Sequence, residues 1–513
     1  MIDSVGWMLT RTEPLAAEPQ HLAKGCGLVS RLRRMALLSA ALLCVFTIGA
    51  AAAVAQLLPA RLVRWKIPRV EGPVAAAPGP VLRSASDAAA GADGADGAAL
   101  GPGATPAGLS AALSPVLASP ALGPHVGLDV TDLGSGQVLD ARAAQSAFAP
   151  ASTAKLAVAV AALHVLGAGA RIMTRVVAGP ARSSIILVGG GDPTLAAGRP
   201  PASDYPQPAT LQSLAGAAAR ALRARGQDAV RLGYDTSLFT GPVFAPGWLP
   251  SYVTTGNVTA ITSLEVDQGR LTATGAPLDA DDPAVRAPRS RTPAADAAAA
   301  FARFLRADGI RVGAIAQARV ASGSATLASV SSPPLAEMVQ WMLSESNNVI
   351  AENLARQVAI AAGRPASFSG AAAAELAVLD KLGVTGGVRL VDGSGLSPMD
   401  RMTPAVLLHL LGLAAAQPRL RALITGLPVA GFSGTLAPGG SVFGEMGPAA
   451  LGVVRAKTGN LTRVAALAGI AYARDGQLLG FAVMADRLSA TRLAAAGADM
   501  ARLATVLAGC GCR

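Results

Sequence analysis

Three short motifs place serine, lysine and asparagine side chains at spacings suited to acyl transfer. In chain order they are Ser152-Thr153-Ala154-Lys155, Ser346-Asn347-Asn348 and Lys457-Thr458-Gly459. Residues i and i+3 share one face of a helix, so Lys155 can reach the hydroxyl of Ser152 where a helix begins. A serine becomes a good nucleophile only when a base takes its proton, and a lysine does this only when its pKa is lowered. The first motif therefore predicts a Ser152 nucleophile with Lys155 as its base, and the backbone N–H of Ser152 as an oxyanion donor.

Lysine is scarce in this chain, which makes its positions informative. Beyond residue 70 the only lysines are Lys155, Lys381 and Lys457, and two of these three fall within the motifs. A coding bias towards arginine explains the scarcity, but arginine does not act as a base in proteins. Burial beside a second cation lowers the pKa of a lysine. Lys457 is the candidate for that cation.

Each motif also has a plain structural interpretation. Ser152 alone can cap a helix, Ser346-Asn347-Asn348 can be a polar loop, and Lys457-Thr458-Gly459 can be a turn before a strand. No other lysine follows a serine by three residues, and no other asparagine follows a serine by two. Three unique motifs in this order favour a catalytic interpretation over three unrelated structural features.

A Ser-His-Asp triad is the nearest alternative mechanism, and the histidines do not fit it. They are His21, His125, His164 and His409. His164 is twelve residues along the expected helix from Ser152, roughly 18 Å away at 1.5 Å per residue. No Gly-x-Ser-x-Gly turn surrounds Ser152, and no zinc-peptidase motif is present. The sequence predicts an enzyme that needs neither a metal nor a cofactor.

The chain divides into segments of different composition. The core that carries the motifs is expected to combine strands at His125–Asp132 and 137–139, a buried helix to Leu166, and a hairpin of 464–473 and 478–484 across Asp475-Gly476. The expected segments are 1–34, cytoplasmic; 35–60, a signal anchor or signal peptide; 61–107, a flexible linker; 108–167 with 332–513, the catalytic domain; and 168–331, an inserted domain.

The N-terminal region predicts export. Met35–Ala60 is almost entirely apolar, follows three arginines and is long enough to span a bilayer as a signal anchor. The alternative is cleavage after Ala55, because Ala53-Val54-Ala55 suits a signal peptidase. Residues 1–70 hold nine basic and three acidic residues, a large share of the net charge of +11. The remainder has no basic run interleaved with aromatics, so nucleic-acid binding is not expected.

The positions of the cysteines do not predict a network of disulfide bonds. Cys26 and Cys44 lie in the N-terminal region and Cys510 and Cys512 at the C-terminus, with none between. The last two can close a local disulfide or remain an unpaired tail.

The three motifs resemble those of the penicillin-recognising serine peptidases. The chain resembles more closely the class C low-molecular-mass penicillin-binding proteins, a D-alanyl-D-alanine carboxypeptidase/endopeptidase family. The further resemblance covers roughly residues 110–505 and lies in Gly189–Leu195, 346–352, Asp392–Ser397 and Gly431–Leu436. The long interval between Ser152 and Ser346 is also similar to that family. Asn347 stands where an aspartate is common.

The resemblance implies an α/β (α+β) fold of the serine β-lactamase/transpeptidase type, an antiparallel sheet flanked by helices. It implies a peptidoglycan stem peptide as substrate and β-lactam antibiotics as covalent inhibitors. Ser152 would attack the penultimate D-Ala carbonyl with Lys155 as base, and Ser346 would relay the proton to the leaving amine. Substrate binding would fall to Asn348, Lys457, Thr458, Gly459 and the backbone N–H of Asn460.

Two other functions share parts of this pattern. A serine β-lactamase would need a dedicated deacylating carboxylate, and no Glu-x-x-x-Asn lies between the first two motifs. A non-catalytic cell-wall-binding protein would have no use for the pair of lysines. Release of D-Ala separates the peptidase from the first alternative, and covalent labelling by penicillin separates it from the second.

Overall fold

Apolar runs bounded by glycine and polar turns form two five-stranded sheets in the computed structural model, which describes residues 103–271 and 287–512. The strands are β1 (His125–Asp132), β2 (Val138–Arg142), β3 (Met173–Ala178), β4 (Ser184–Val188), β5 (Ala229–Asp235), β6 (Arg311–Gln317), β7 (Thr326–Ser331), β8 (Val454–Leu461), β9 (Val464–Tyr472) and β10 (Leu478–Asp486). The expected cytoplasmic segment 1–34, the anchor 35–60 and most of the linker 61–107 lie outside the described residues.

Helices cover the faces of these sheets. They are α1 (Pro106–Leu117), α2 (Lys155–Leu166), α3 (Leu211–Arg223), α4 (Ser251–Thr254), α5 (Pro293–Ala307), α6 (Leu335–Ser344), α7 (Asn348–Ala361), α8 (Phe368–Lys381), α9 (Pro404–Ala416), α10 (Arg421–Gly426) and α11 (Leu493–Gly509). Within the described ranges, none of these helices is both long enough and apolar enough to cross a membrane.

The first sheet is antiparallel throughout and has the order β2-β1-β10-β9-β8. The expected hairpin is present as β9 and β10. Successive side chains of a strand point to opposite faces, and both faces of these two strands are buried. Ala466 and Met484 pack in one apolar cluster with α2, whereas Leu467 and Phe481 pack in another with α1 and α11. The sheet is therefore a layer between two groups of helices.

The buried helix predicted after Ser152 is α2, and a 3-10 turn, Ala151–Ala154, precedes it. Its residues from Lys155 to Leu163 are all buried, which fits their apolar character on every side. Its neighbours in the core include α6, α7 and α9. Because α2 is enclosed, the residues at its N-terminus are held in a fixed position beside the sheet.

The second sheet has the order β6-β5-β4-β3-β7, and its strands all lie between residues 173 and 331. Unlike the first sheet it contains parallel pairs, β4 with β5 and β5 with β6. Helices α3 and α5 make the crossovers that parallel pairing requires. The limits of the inserted domain, 168–331, stay a prediction.

The two ends of the described region meet. The backbone N–H of Thr105 donates to the carbonyl of Cys512 at 2.8 Å. Cys510 and Cys512 form a disulfide with a Cα–Cα distance of 5.0 Å.

Candidate active site

The turn that carries Ser152 lies between two glycines, Gly395 and Gly459, which approach its backbone closely. Ala151, the first residue of the 3-10 turn, adopts a φ of 46°, and this turn leads directly into α2 at Lys155. A Cβ at Gly459 would lie 2.8 Å from the carbonyl oxygen of Pro150, and one at Gly395 would lie 1.9 Å from that of Ala151. Glycine at both positions therefore allows strand β8 on one side and the loop at 395 on the other to approach the nucleophile.

Lys155 contacts Ser152 directly, as the motif predicts. Its Nζ donates to Ser152 Oγ at 2.9 Å, to Asn348 Oδ1 at 2.7 Å and to the carbonyl oxygen of Ser394 at 2.6 Å. The lysine is completely buried, whereas Ser152 is half-buried. An amine can thus take the Ser152 proton while the two other oxygens, Asn348 Oδ1 and the carbonyl of Ser394, fix its direction.

Burial lowers the pKa of Lys155 to about 7. Asp392, Glu352 and Asp400 act in the opposite direction, because nearby negative charge favours the ammonium form. Burial is the largest cause of this lowering, and the repulsion between the two lysines acts on both of them. The electrostatic influence is seen at the other lysine: burial lowers the pKa of Lys457 well below its ordinary value, and Lys155 lowers it further.

The second motif lies where α6 ends and α7 begins. Ser346 adopts a φ of 54°, and the Asn347 side chain caps α7 by accepting from the N–H of Ile350 at 3.0 Å. Asn348 Nδ2 donates to the carbonyl of Asn257 at 2.9 Å. The motif thus combines a helix start with a strained serine, and it directs Asn348 to Lys155.

The third motif lies on β8, the edge strand of the first sheet. Lys457 is completely buried, and its Nζ donates to Ser346 Oγ at 2.9 Å and to the carbonyl of Thr458 at 2.7 Å. The hydroxyl of Thr458 donates to that of Thr435 at 2.8 Å. Asn460 is exposed, pairs with Ala465 and lies near the end of the strand.

The structure therefore brings the predicted residues together in two groups. Ser152, Lys155 and Asn348 form one hydrogen-bonded group, and Ser346, Lys457 and Thr458 form the other. Gly459 packs against the turn of Ser152, as its close approach to Pro150 shows.

Two histidines of the described ranges have partners away from Ser152, and the buried Nδ1 of a third, His164, has no hydrogen-bond partner there. His125 Nδ1 hydrogen-bonds to Asp486 Oδ1, and His409 Nε2 hydrogen-bonds to the carbonyl of Leu382. The basic side chain that contacts Ser152 is that of Lys155.

The sequence analysis missed several residues that hold the site. Ser394 lies in the segment Asp392–Ser397 that carries the resemblance, but its contact with Lys155 is made by a backbone carbonyl, which no side-chain pattern indicates. Gln268, at a φ of 54°, accepts a hydrogen bond from Asn347 Nδ2 at 2.8 Å through Oε1. Four of the seven non-glycine residues with positive φ in the described ranges surround the site: Ala151, Asp267, Gln268 and Ser346. Such strain commonly accumulates at functional sites.

Comparisons with known proteins identify a family and relatives of this chain. A family model described as the D-Ala-D-Ala carboxypeptidase 3 (S13) family matches residues 109–288 and 270–507. Carboxypeptidase DacB of Mycolicibacterium smegmatis is 39% identical over 389 residues, which cover 75% of this chain and 80% of that protein. The D-alanyl-D-alanine carboxypeptidase of Actinomadura is 30% identical over 425 residues, covering 69% and 76%.

A solved structure shares the fold. The crystal structure of penicillin binding protein 4 from Haemophilus influenzae superimposes with a TM-score of 0.61 at 23% identity, covering 76% of this chain and 98% of that one. The described helices and strands are thus arranged as in that protein.

Proposed function

The chain belongs to the D-Ala-D-Ala carboxypeptidase 3 (S13) family, and from this premise we propose that Ser152 carries the acyl intermediate of a serine D-Ala-D-Ala peptidase. The observation that carries the assignment is the 2.9 Å hydrogen bond between a half-buried serine and a buried lysine with a pKa of about 7. A base with a pKa near neutral is partly unprotonated at neutral pH, as general-base catalysis requires.

In the proposed acylation, Lys155 takes the Ser152 proton as Oγ bonds to the carbonyl carbon of the penultimate D-Ala. The oxyanion of the tetrahedral intermediate accepts from the backbone N–H groups of Ser152 and Asn460. Collapse breaks the peptide bond, and the proton that Lys155 took from Ser152 is relayed through Ser346 to the leaving amine. Lys457 contacts Ser346 at 2.9 Å. The products are an ester on Ser152 and free D-Ala, and water then attacks the ester.

The substrate would be held by the residues around this path. Lys457, Thr458 and the adjacent Thr435 offer a cation and two hydroxyls for the terminal carboxylate. Asn348 Oδ1 accepts from Lys155 and has a second lone pair for a substrate amide N–H. Gly459 keeps β8 close enough to the turn of Ser152 for both sets of contacts to reach one peptide.

We propose peptidoglycan stem peptides as the substrate class and β-lactams as covalent inhibitors. The supporting relatives are named carboxypeptidases, and the Haemophilus penicillin binding protein 4 has also been solved in complex with a β-lactam. In a penicillin adduct the leaving amine remains tethered and obstructs water, whereas free D-Ala diffuses away. We therefore expect slow hydrolysis of the penicillin adduct and faster turnover of D-Ala-D-Ala peptides.

The test is mass spectrometry of the penicillin-treated protein, combined with an assay of D-Ala released from a pentapeptide mimic. We expect one long-lived adduct on the peptide that contains Ser152, together with D-Ala release. Digestion of cross-linked muropeptides by the untreated protein measures endopeptidase action. Rapid multiple-turnover penicillin hydrolysis without D-Ala release would establish a β-lactamase instead, and absence of any adduct would favour a non-catalytic cell-wall-binding protein.

For localisation we propose that residues 35–60 anchor the chain in the cell membrane and place the catalytic region outside the cytoplasm. The apolar segment and the preceding arginines support this. Membrane fractionation and N-terminal sequencing of the mature protein test it. A soluble secreted product that begins after Ala55 would show cleavage rather than anchoring.

A further inference from the structure

We propose that Glu352 is a positioning residue for acylation, which holds Lys155 against Ser152 through the backbone of Gly393 and Ser394. This inference rests on the proposed roles of Ser152 and Lys155. Glu352 is one turn beyond Asn348 on α7, so both side chains lie on the same side of the helix. Asn348 contacts Lys155 directly, and Glu352 contacts the loop that contacts Lys155.

The connection consists of three hydrogen bonds. Glu352 Oε1 accepts from the backbone N–H of Gly393 at 3.1 Å and from that of Ser394 at 2.8 Å. The carbonyl of the same Ser394 accepts from Lys155 Nζ at 2.6 Å. Because Glu352 is completely buried, no water competes for these N–H groups. The carboxyl therefore sets the orientation of the peptide that receives Lys155.

The loop has a second anchor, which makes its position well defined. Asp392 Oδ1 accepts from the N–H of Gly395 at 2.6 Å, while Oδ2 accepts from the N–H of Ser397 at 2.7 Å and from Trp248 Nε1 at 2.6 Å. Gly395 then lies against the carbonyl of Ala151, directly before the nucleophile. Glu352 thus acts on a loop that touches both the base and the turn of Ser152.

An ion pair that serves stability alone is the competing explanation. Arg356 Nη1 lies 3.4 Å from Glu352 Oε2, and its guanidinium stacks over Phe368 at 4.0 Å. The two carboxyl oxygens have different partners, however: Oε2 faces the arginine and Oε1 faces the loop. Only the contacts of Oε1 lead to Lys155, so their loss should change acylation and not just folding.

The charged groups near this site determine how acylation should depend on pH. The charged groups that affect the pKa of Lys155 are Asp392, Glu352, Asp400 and Lys457. Those that interact with Glu352 are Arg356, Asp392, Glu375 and Asp400. Burial raises the pKa of Glu352 to about 7. Glu352 is therefore partly ionised where Lys155 titrates, and because a carboxylate favours the charged form of a neighbouring lysine, removal of this partial charge lowers the pKa of Lys155. The acid limb of the acylation profile then moves to lower pH.

The experiment compares the rate constant of Ser152 acylation by a fluorescent penicillin, from pH 5 to 9, in four full-length variants: Glu352→Gln, Glu352→Ala, Glu375→Gln and Lys155→Arg. Glu375 is the matched control, since it is a completely buried glutamate in the same core whose carboxyl oxygens have no hydrogen-bond partner among the described residues. Thermal unfolding of each variant reports stability separately.

We expect Glu352→Ala to lower the rate constant about 100-fold, because a small displacement of a catalytic group has an effect of that size. Glu352→Gln keeps an acceptor oxygen, so its rate should remain within about tenfold of the parent, with the acid limb at lower pH. Glu375→Gln should change neither property.

Two results would overturn the inference. One is an unshifted profile in Glu352→Gln together with a normal rate for the folded fraction of Glu352→Ala. The other is equal loss in Glu352→Gln and Glu375→Gln, which would indicate a general disturbance of the core. If Glu352→Ala does not fold, the pH dependence of acylation in Glu352→Gln still tests the inference, and an unshifted acid limb would then overturn it. Normal acylation of Lys155→Arg would instead reject the proposed role of Lys155 as the base, whatever the Glu352 variants do, and absence of any adduct in the parent enzyme would reject the proposed function.

Discussion

The two buried lysines of the site lie in opposite electrostatic surroundings. Lys155 faces three carboxyl groups, those of Asp392, Glu352 and Asp400, which favour its charged form. Among charged neighbours, Lys155 has the larger effect on the pKa of Lys457 and lowers it, whereas Glu345 has a smaller effect and raises it. Burial lowers the pKa of both lysines, so the contrast between them comes from their neighbours.

This difference separates their roles. Lys155 has carboxyl groups of the protein around it and a pKa of about 7, so it can gain and lose a proton without help from a ligand. Lys457 lacks a comparable group of carboxylates among the residues that influence its pKa, and a substrate carboxylate would supply the missing charge. One lysine is suited to proton transfer and the other to recognition of an anion.

The largest effect is expected from Lys155→Arg, which keeps a positive charge and removes the base. A guanidinium does not deprotonate near neutral pH, so acylation by a fluorescent penicillin should fall about 10³- to 10⁴-fold. Lys381→Arg is the matched control, because Lys381 is exposed at the end of α8. Labelling of Lys155→Arg at the rate of the control would remove Lys155 from its role.

Lys457→Met should act on binding of the substrate carboxylate. Loss of a charged hydrogen-bond donor predicts a KM for a D-Ala-D-Ala peptide that is roughly 10- to 100-fold higher. The same peptide with a C-terminal amide serves as the comparison substrate, and its weaker turnover should change little in the variant. An equal loss for both peptides would show that Lys457 does not recognise the carboxylate.

The acid limb of acylation should lie near pH 7 in the parent enzyme. Below the pKa of Lys155, about 7, the amine is protonated and cannot act as a base. Each further unit of pH should therefore lower the rate about tenfold, whereas above pH 7 the rate should level off. Stopped-flow measurement of penicillin binding tests this. A rate that rises steadily towards pH 10 would mean that Lys155 has the pKa of an ordinary exposed lysine.

The sequence predicted those parts of the site that depend on local spacing. Ser152 and Lys155 are separated by one helical turn, and the β9–β10 hairpin follows from its apolar runs and its Asp-Gly turn. Parallel pairing in the second sheet was not predicted, because β4, β5 and β6 are separated along the chain and their pairing is a non-local choice. Side-chain patterns indicate that a segment is a strand, but they do not indicate which other strand it pairs with.

The contacts of Ser394 and Gln268 and the charges around Lys155 could not be predicted from patterns of side chains in the sequence. The carbonyl of Ser394 is the same backbone atom in any residue, and Gln268 is an ordinary polar residue until the fold brings it to Asn347. The pKa of Lys155 also depends on carboxylates distant in sequence. Burial could be expected from the apolar helix, whereas the arrangement of these charges required the tertiary structure.

If β-lactams acylate Ser152 as we propose, the contacts of Gly395 and Gly459 restrict how this enzyme can evolve under antibiotic selection. Any side chain at Gly395 would overlap the carbonyl of Ala151, and one at Gly459 would crowd that of Pro150. Substitutions at these positions would displace Ser152 for the natural peptide and the drug alike. Escape mutations that preserve D-Ala-D-Ala cleavage are therefore excluded from both sides of the nucleophile. Deep mutational scanning should find resistant, viable alleles elsewhere in the cleft and none at these two glycines.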